Sequence, residues 1–220
     1  MMDAAKTLLL LLSALFPIVN PLGGSPIFLA LTGEYSPEGR KALSRQIAVN
    51  SFFLLIGSYF IGTYILAFFG ISLPVVQVGG GLVVISNGWI MLQRGEEGER
   101  GEVGRNRQPD DPLLQAFYPL TLPLTVGPGS ISVAITLGAN SAHRHPVDFR
   151  AILAAVIASA LIALSIFLCY RFSERLAHTL GATAMSVILR LSSFLLVCIG
   201  VQILWNGISA LLSSLLSHAR

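Results

Sequence analysis

The chain has 220 residues, a net charge of +3, and a composition that is 54% hydrophobic but only 11% charged; a soluble globular domain carries about 25% charged residues. With a mean hydropathy of +0.74 and apolar runs long enough to cross a bilayer, that balance excludes an ordinary soluble domain and argues against a nucleic-acid partner. The two cysteines, Cys169 and Cys198, fall inside apolar runs, where they read as small packing residues rather than a disulfide or metal pair.

Six apolar segments are expected, at 7–32, 46–69, 72–93, 113–139, 150–170 and 184–212. They define one all-α membrane domain over 1–220, with a first three-span half (7–93) and a second (113–212). Lys6 before a leucine run imitates a signal peptide, but no Ala-x-Ala-like cleavage site follows, so the segment is expected to stay. The first segment is interrupted by Asn20-Pro21-Leu22-Gly23-Gly24-Ser25-Pro26. Proline removes an N–H and clashes with the preceding turn, and backbone freed at membrane depth survives only inside protein or beside a polar cavity. The second and third segments are separated by Gly70 and Ile71, with Pro74 just beyond, which predicts a tight helical hairpin. Residues 94–112 are Gly-rich, highly charged and almost devoid of apolar side chains; they are read as a linker between the halves.

The fourth segment repeats the device of the first. Pro123-Leu124 and Pro128 match Pro21-Leu22 and Pro26 at one constant offset. Paired Gly/Pro interruptions in corresponding places of two halves are the sequence mark of a transporter site. In the fifth segment Ala151, Ala155, Ser159 and Ala163 form a small-residue ladder suited to close helix contact, as is Gly79-Gly80-Gly81 in the third. The sixth is longer than a bilayer requires, so it tilts or begins at the interface near Thr183–Leu189.

Six spans place the loops at 33–45, 94–112 and 171–183 on one side. These carry nine Lys/Arg residues, against four on the other side. The positive-inside rule puts the first group in the cytoplasm and both termini outside. Three spans per half is an odd number, so the halves are inverted repeats, their first members (spans one and four) broken mid-membrane.

No catalytic constellation is present, and none of the eleven carboxylates lies well inside a span, which disfavours a carboxylate proton relay. The chain therefore reads as a non-enzyme without cofactor or metal. The candidate ligand-binding groups are those at the interruptions: Asn20, Gly23, Gly24 and Ser25, with Thr121, Thr125, Gly127, Gly129 and Ser130. Half-helix N-termini after each interruption favour an anionic group such as a carboxylate. Arg190, the one full charge inside a span, either pairs with a substrate carboxylate or helix-end carbonyls, or snorkels to the interface. Asn50, Gln77 and Asn87 are secondary polar contacts, and Asn206 is a further amide within a span.

Asn20-Pro21-Leu22-Gly23-Gly24-Ser25-Pro26-Ile27-Phe28-Leu29-Ala30-Leu31-Thr32 resembles the N-terminal signature of the MarC family of bacterial inner-membrane proteins, and Phe117–Ser132 resembles its second signature. Gly70–Pro74 and Gly79-Gly80-Gly81 fit the same pattern. The resemblance implies a six-span inner-membrane bundle with periplasmic termini. It also implies transport of small neutral amino acids such as alanine or glycine, driven by a cation gradient (Na⁺ or H⁺). Arg190 matches the family's later Arg-Leu pattern, whereas Gln77 stands where relatives often carry Arg. A secondary transporter is thus the leading expectation, its partners being a small solute, the lipid bilayer and possible further copies of the chain in a homo-oligomer. The alternatives are a membrane-embedded accessory protein that transports nothing, or a passive channel. Channels usually repeat polar rings around an axis, which one chain with inverted halves does not supply.

Overall fold

The computed structural model describes residues 2–94, 115–144 and 149–218; the charged linker expected at 94–112 lies outside them except for Arg94. The described chain is helical: α1 (Met2–Val19), α2 (Pro21–Leu31), α3 (Pro37–Phe68), α4 (Leu73–Arg94), α5 (Ala116–Thr125), α6 (Pro128–Arg144), α7 (Phe149–Arg171) and α8 (Ser173–His218). Among the described residues, five helical stretches are long and apolar enough to cross a membrane: Ala5–Leu31 taken across Asn20, Pro37–Phe68, Leu73–Gln93, Phe149–Arg171 and Thr183–Leu216. A sixth arises if Ala116–Thr125 and Pro128–Ser141, bent by 69° at their junction, count as one span.

Local chemistry explains where these helices begin and end. Ser36 caps α3 by accepting the Gly39 N–H at 3.1 Å, Pro37 occupies the first turn, and Glu38 complements the helix dipole. The helix therefore starts well before its apolar part, and Arg40, Lys41 and Arg45 stand on its opening turns rather than in the loop expected at 33–45. The apolar criterion measures hydrocarbon thickness, not helix length. The same holds for α8, which runs from Ser173 and departs from helical geometry at Gly181 (φ 74°, ψ 168°). Most of the loop expected at 171–183 is thus helical. Between α3 and α4, Gly70 takes φ 65°, and the Ile71 N–H returns to the Leu66 carbonyl at 2.9 Å, closing the hairpin as a left-handed C-terminal cap.

One core unites α1, α2, α3, α5, α6 and α7 through buried residues that include Leu15, Phe28, Ile47, Leu55, Leu120, Ala134, Ile162 and Tyr170. On α7, Ala155, Ser159 and Ala163 of the small-residue ladder are buried, beside Ala154, Ala158, Ile162 and Ile166. Large apolar side chains such as Phe53, Tyr64, Phe68, Leu82, Leu164, Phe194 and Trp205 face outward, as a bilayer solvent allows.

α4 and α8 pair along their lengths through glycine. Gly81 lies against the backbone of Gly200 and Leu204, and Gly200 against the backbone of Gly81 and Ile85. Gly88 meets Ser193 and Val197, while Gly207 meets Pro74 and Val78. Residue numbers rise on one helix as they fall on the other, so the pair is antiparallel. The shift that carries Gly81 to Gly200 also carries Gly88 to Gly207, and it carries Pro74, Val78 and Ile85 to Ser193, Val197 and Leu204. Each contact made by one helix is therefore made in return by the other. A Cβ at Gly81, Gly200 or Gly207 would run into a neighbouring backbone at under 3 Å, and one at Gly88 would meet backbone at 3.0 Å, which is why the backbones can approach only at glycine.

Two polar links tie one end of the bundle together. Tyr35, between α2 and α3, donates to Gln115 at the start of the fourth segment. Arg40 near the start of α3 pairs with Glu174 at the start of α8 at 2.7 Å. The starts of α3, α5 and α8 thus share one end of the molecule.

Candidate functional site

The two interruptions are built differently. At Asn20 the backbone turns left-handed (φ 45°, ψ 61°), and the Asn20 Oδ1 accepts the Gly23 N–H at 3.1 Å. Pro21 at the first position of α2 has no N–H to offer, so asparagine, the residue most tolerant of this conformation after glycine, starts a new helix with its own side chain as cap. The flanking helices still count as one apolar span. The fourth segment is more disturbed: Tyr118 and Leu122 leave helical geometry, and wide turns replace regular ones. There the Val126 N–H reaches back to the Thr121 carbonyl at 2.9 Å. Thr121 Oγ1 donates to the Ala116 carbonyl at 2.6 Å, and Thr125 Oγ1 donates to the Leu120 carbonyl at 2.7 Å. Pro119 and Pro123 bring no N–H to this segment, and the two hydroxyls add side-chain donors to its carbonyls.

Tyr170, fully buried on α7, joins the two interruptions. Its ring stacks on Phe28 of α2 with centroids 4.6 Å apart and planes within 12°. Its hydroxyl lies 2.9 Å from Thr125 Oγ1, and a Cβ on Gly24 would stand 2.7 Å from the same hydroxyl. Gly24 and Thr125 are therefore brought to one phenolic oxygen. Sequence reasoning missed this tyrosine, which sits at the end of an apolar segment; only its hydroxyl, polar among Leu168, Cys169 and Phe167, distinguished it.

The remaining candidate residues divide. Asn50 on α3 joins the site, donating from Nδ2 to Thr121 Oγ1 at 3.4 Å while accepting from Gln46 at 3.2 Å. Ser25 and Ser130 are buried and turned onto their own helices, donating to the carbonyls of Leu22 and Gly127. Gly129 is close-packed: a Cβ there would meet the Val84 side chain. Gly23 gives its place to the Asn20 cap. Gln77 reaches across to Thr136 of α6 at 3.4 Å, and Asn87 is exposed with its Nδ2 beside Gly127, 3.9 Å from where a Cβ would stand. Arg190 stands on an exposed face of α8 with Val187 and Leu191 as exposed neighbours. Among the described residues, three buried polar atoms have no hydrogen-bond partner: Asn20 Nδ2, Ser51 Oγ and Tyr59 OH. The first of these lies at the α1–α2 interruption itself.

An all-helical chain with several membrane-length apolar helices and a core crossed by two interrupted segments is an integral membrane protein of the polytopic class. The model of the MarC family of integral membrane proteins matches residues 5–212, and the chain belongs to that family. It is 33% identical over 213 residues to the UPF0056 inner membrane protein MarC of Salmonella typhimurium strain LT2, covering 94% of this chain and 96% of the relative. The protein of the same name from Citrobacter koseri is 34% identical over 215 residues, with the same coverage. That from Escherichia coli O1:K1 / APEC is 32% identical over 213 residues, again covering 94% and 96%. No solved structure matches.

Proposed function

We propose that the chain is a non-enzymatic secondary transporter of the bacterial inner membrane. It moves small polar solutes of the neutral amino-acid class, such as alanine or glycine, with a cation gradient as the driving force. The observation that carries this reading is the meeting of two interrupted segments at Tyr170. Interrupted helices near the middle of a bundle, contributed by corresponding parts of two halves, are where secondary transporters hold substrate. The buried, unpartnered Nδ2 donor of Asn20 suits a carboxylate oxygen, and Thr121 with Asn50 supplies further neutral polar groups. The reciprocal α4–α8 contacts favour inverted halves related by an axis through the Gly81–Gly200 meeting point. On this reading spans one and four are the broken members, and the arginine-rich end, joined by the Arg40–Glu174 pair, faces the cytoplasm with both termini periplasmic.

One observation favours a non-transporting, structural role. Ser25, Thr121, Thr125 and Ser130 all donate to carbonyls of their own segments, as hydroxyls do when they merely mend a kink. Reconstitution separates the readings. Purified protein in liposomes, given labelled alanine or glycine under imposed Na⁺ or H⁺ gradients, is expected to accumulate solute above its external concentration. Gradient-independent equilibration would mean a channel, and no uptake of any amino acid in a panel would leave the structural role.

A further inference from the structure

Several amides stand exposed within the spans, where hydrocarbon offers no hydrogen-bond partner and an open amide valence is costly. Asn87 on α4 is one; Gln202 and Asn206 on α8 are two more. Gln202 Nε2 donates to Asn206 Oδ1 at 2.9 Å. That bond uses one donor and one acceptor of this exposed pair, so both amides keep further donor and acceptor capacity, the Asn206 Nδ2 and the Gln202 Oε1 among it.

The glycine register of the α4–α8 pair relates these amides. The shift that takes Gly81 to Gly200 and Gly88 to Gly207 takes Asn87 to Asn206. Asn87 lies on the flank of α4 that faces the fourth segment. Val84 and Gly80 on that flank pack against Gly129 and Ser132, and Asn87 comes beside Gly127 where that segment bends. The matching flank of α8 carries Ile203, which packs on the core containing Phe28, and α8 touches α2 as α4 touches α6. By that register Asn206 on α8 corresponds to Asn87 on α4, each on a helix that touches the half-helix following an interruption, α2 and α6 respectively. Each is six residues beyond the Gly81–Gly200 crossing, or about 9 Å along its helix at 1.5 Å per residue. Because the helices are antiparallel, the two amides lie on opposite sides of that crossing.

We propose that Asn206, oriented by Gln202, is a ligand-contacting residue of a second polar half-site, the counterpart of Asn87 on the other side of the membrane centre. Its ligand is a small net-neutral solute with both donor and acceptor groups. An amide pair presents one N–H donor set and one carbonyl acceptor side by side and carries no charge, which matches the two ends of a zwitterion or a hydroxyl-bearing molecule and not a net anion. The proposal rests on the transporter reading for its purpose, but its placement is tested independently of transport.

The experiment uses full-length protein in vesicles of known orientation, in a background with Cys169 and Cys198 replaced by serine, carrying Asn87→Cys or Asn206→Cys. A membrane-impermeant maleimide is expected to label Asn87→Cys from the side of the α4 C-terminus and Asn206→Cys from the side of the α8 C-terminus. Millimolar L-alanine, used as the probe, is expected to slow both reactions several-fold. In otherwise native protein, Gln202→Ala is expected to raise the KM for alanine uptake at least threefold while leaving the amount of folded protein unchanged. Labelling of Asn206→Cys by a lipid-soluble maleimide alone would show a lipid-facing amide and overturn the proposal. Disulfide formation between two copies at Asn206→Cys would overturn it in favour of an intersubunit contact. Labelling from water without protection by alanine, glycine or serine would overturn the ligand assignment. Water labelling and protection in a protein that shows no uptake would uphold the half-site and remove the transporter reading alone.

Discussion

Tyr170 is where single atoms decide whether two segments stay together. Its hydroxyl touches Thr125 at 2.9 Å and fills the place that a Gly24 side chain would take, 2.7 Å from an added Cβ. Two consequences can be measured on detergent-purified protein by thermal unfolding. Tyr170→Phe keeps the stack on Phe28 and loses one buried hydrogen bond, leaving Thr125 its bond to Leu120; the expected cost is about 1 kcal/mol. Gly24→Ala presses a methyl against the hydroxyl and is expected to destabilise by about 1–3 kcal/mol. In the double variant the clash loses its main partner, since the next ring atoms stand 3.5 Å away. The combined cost should then fall short of the sum by about 1 kcal/mol. Strict additivity would show that Gly24 and the hydroxyl do not share the space the structure gives them.

At the scale of elements, the helices separate what a sequence states from what it withholds. Prolines and glycines mark interruptions because their chemistry is local: Pro21 lacks an N–H, and Asn20 accepts the left-handed turn. The α3–α4 hairpin was equally legible from Gly70 and Pro74. Helix starts were not, because Ser36 and Pro37 can begin a helix in polar sequence long before the apolar part. The partners of the small residues were hidden too. Gly79, Gly80 and Gly81 form one run in sequence, yet Gly79 faces nothing within 4 Å, Gly80 faces Ser132 of α6, and Gly81 faces the backbone of α8. Successive helical residues point about 100° apart, so one motif serves three environments. Gly81→Leu should therefore force α4 and α8 apart and cost at least about 3 kcal/mol. Gly79→Leu adds a side chain to an open surface and should change stability by less than about 0.5 kcal/mol. Equal effects, read from melting temperatures of the two purified variants, would mean that the glycine seam between α4 and α8 is misplaced.

At the scale of the whole molecule, the test is which ends share a side of the membrane. The Arg40–Glu174 pair and the Tyr35–Gln115 bond place the starts of α3, α5 and α8 together. The 32-residue α3 extends about 48 Å at 1.5 Å per residue, more than the roughly 30 Å hydrocarbon core requires. The α3–α4 turn must therefore emerge on the opposite face. Single cysteines at Glu38 and at Ser72, both exposed, in a background free of native cysteine, are expected to react with an impermeant maleimide from opposite sides. A cysteine at Glu174 should behave like the one at Glu38. The basic residues near the first group, Arg40, Lys41, Arg45, Arg171 and Arg175, set the expected sign: in intact cells Ser72→Cys should label readily, whereas Glu38→Cys and Glu174→Cys should label only after the membrane is opened. Reversing the charge of three of these arginines should weaken that preference, since the bias depends on cytoplasmic Lys and Arg rather than on the packed interior. If Glu38→Cys and Ser72→Cys label from the same side, α3 does not cross the bilayer. The pairing of α4 with α8 could then not join two inverted halves, and the proposal that the interruptions at Asn20 and Thr125 share one membrane depth would fall with it.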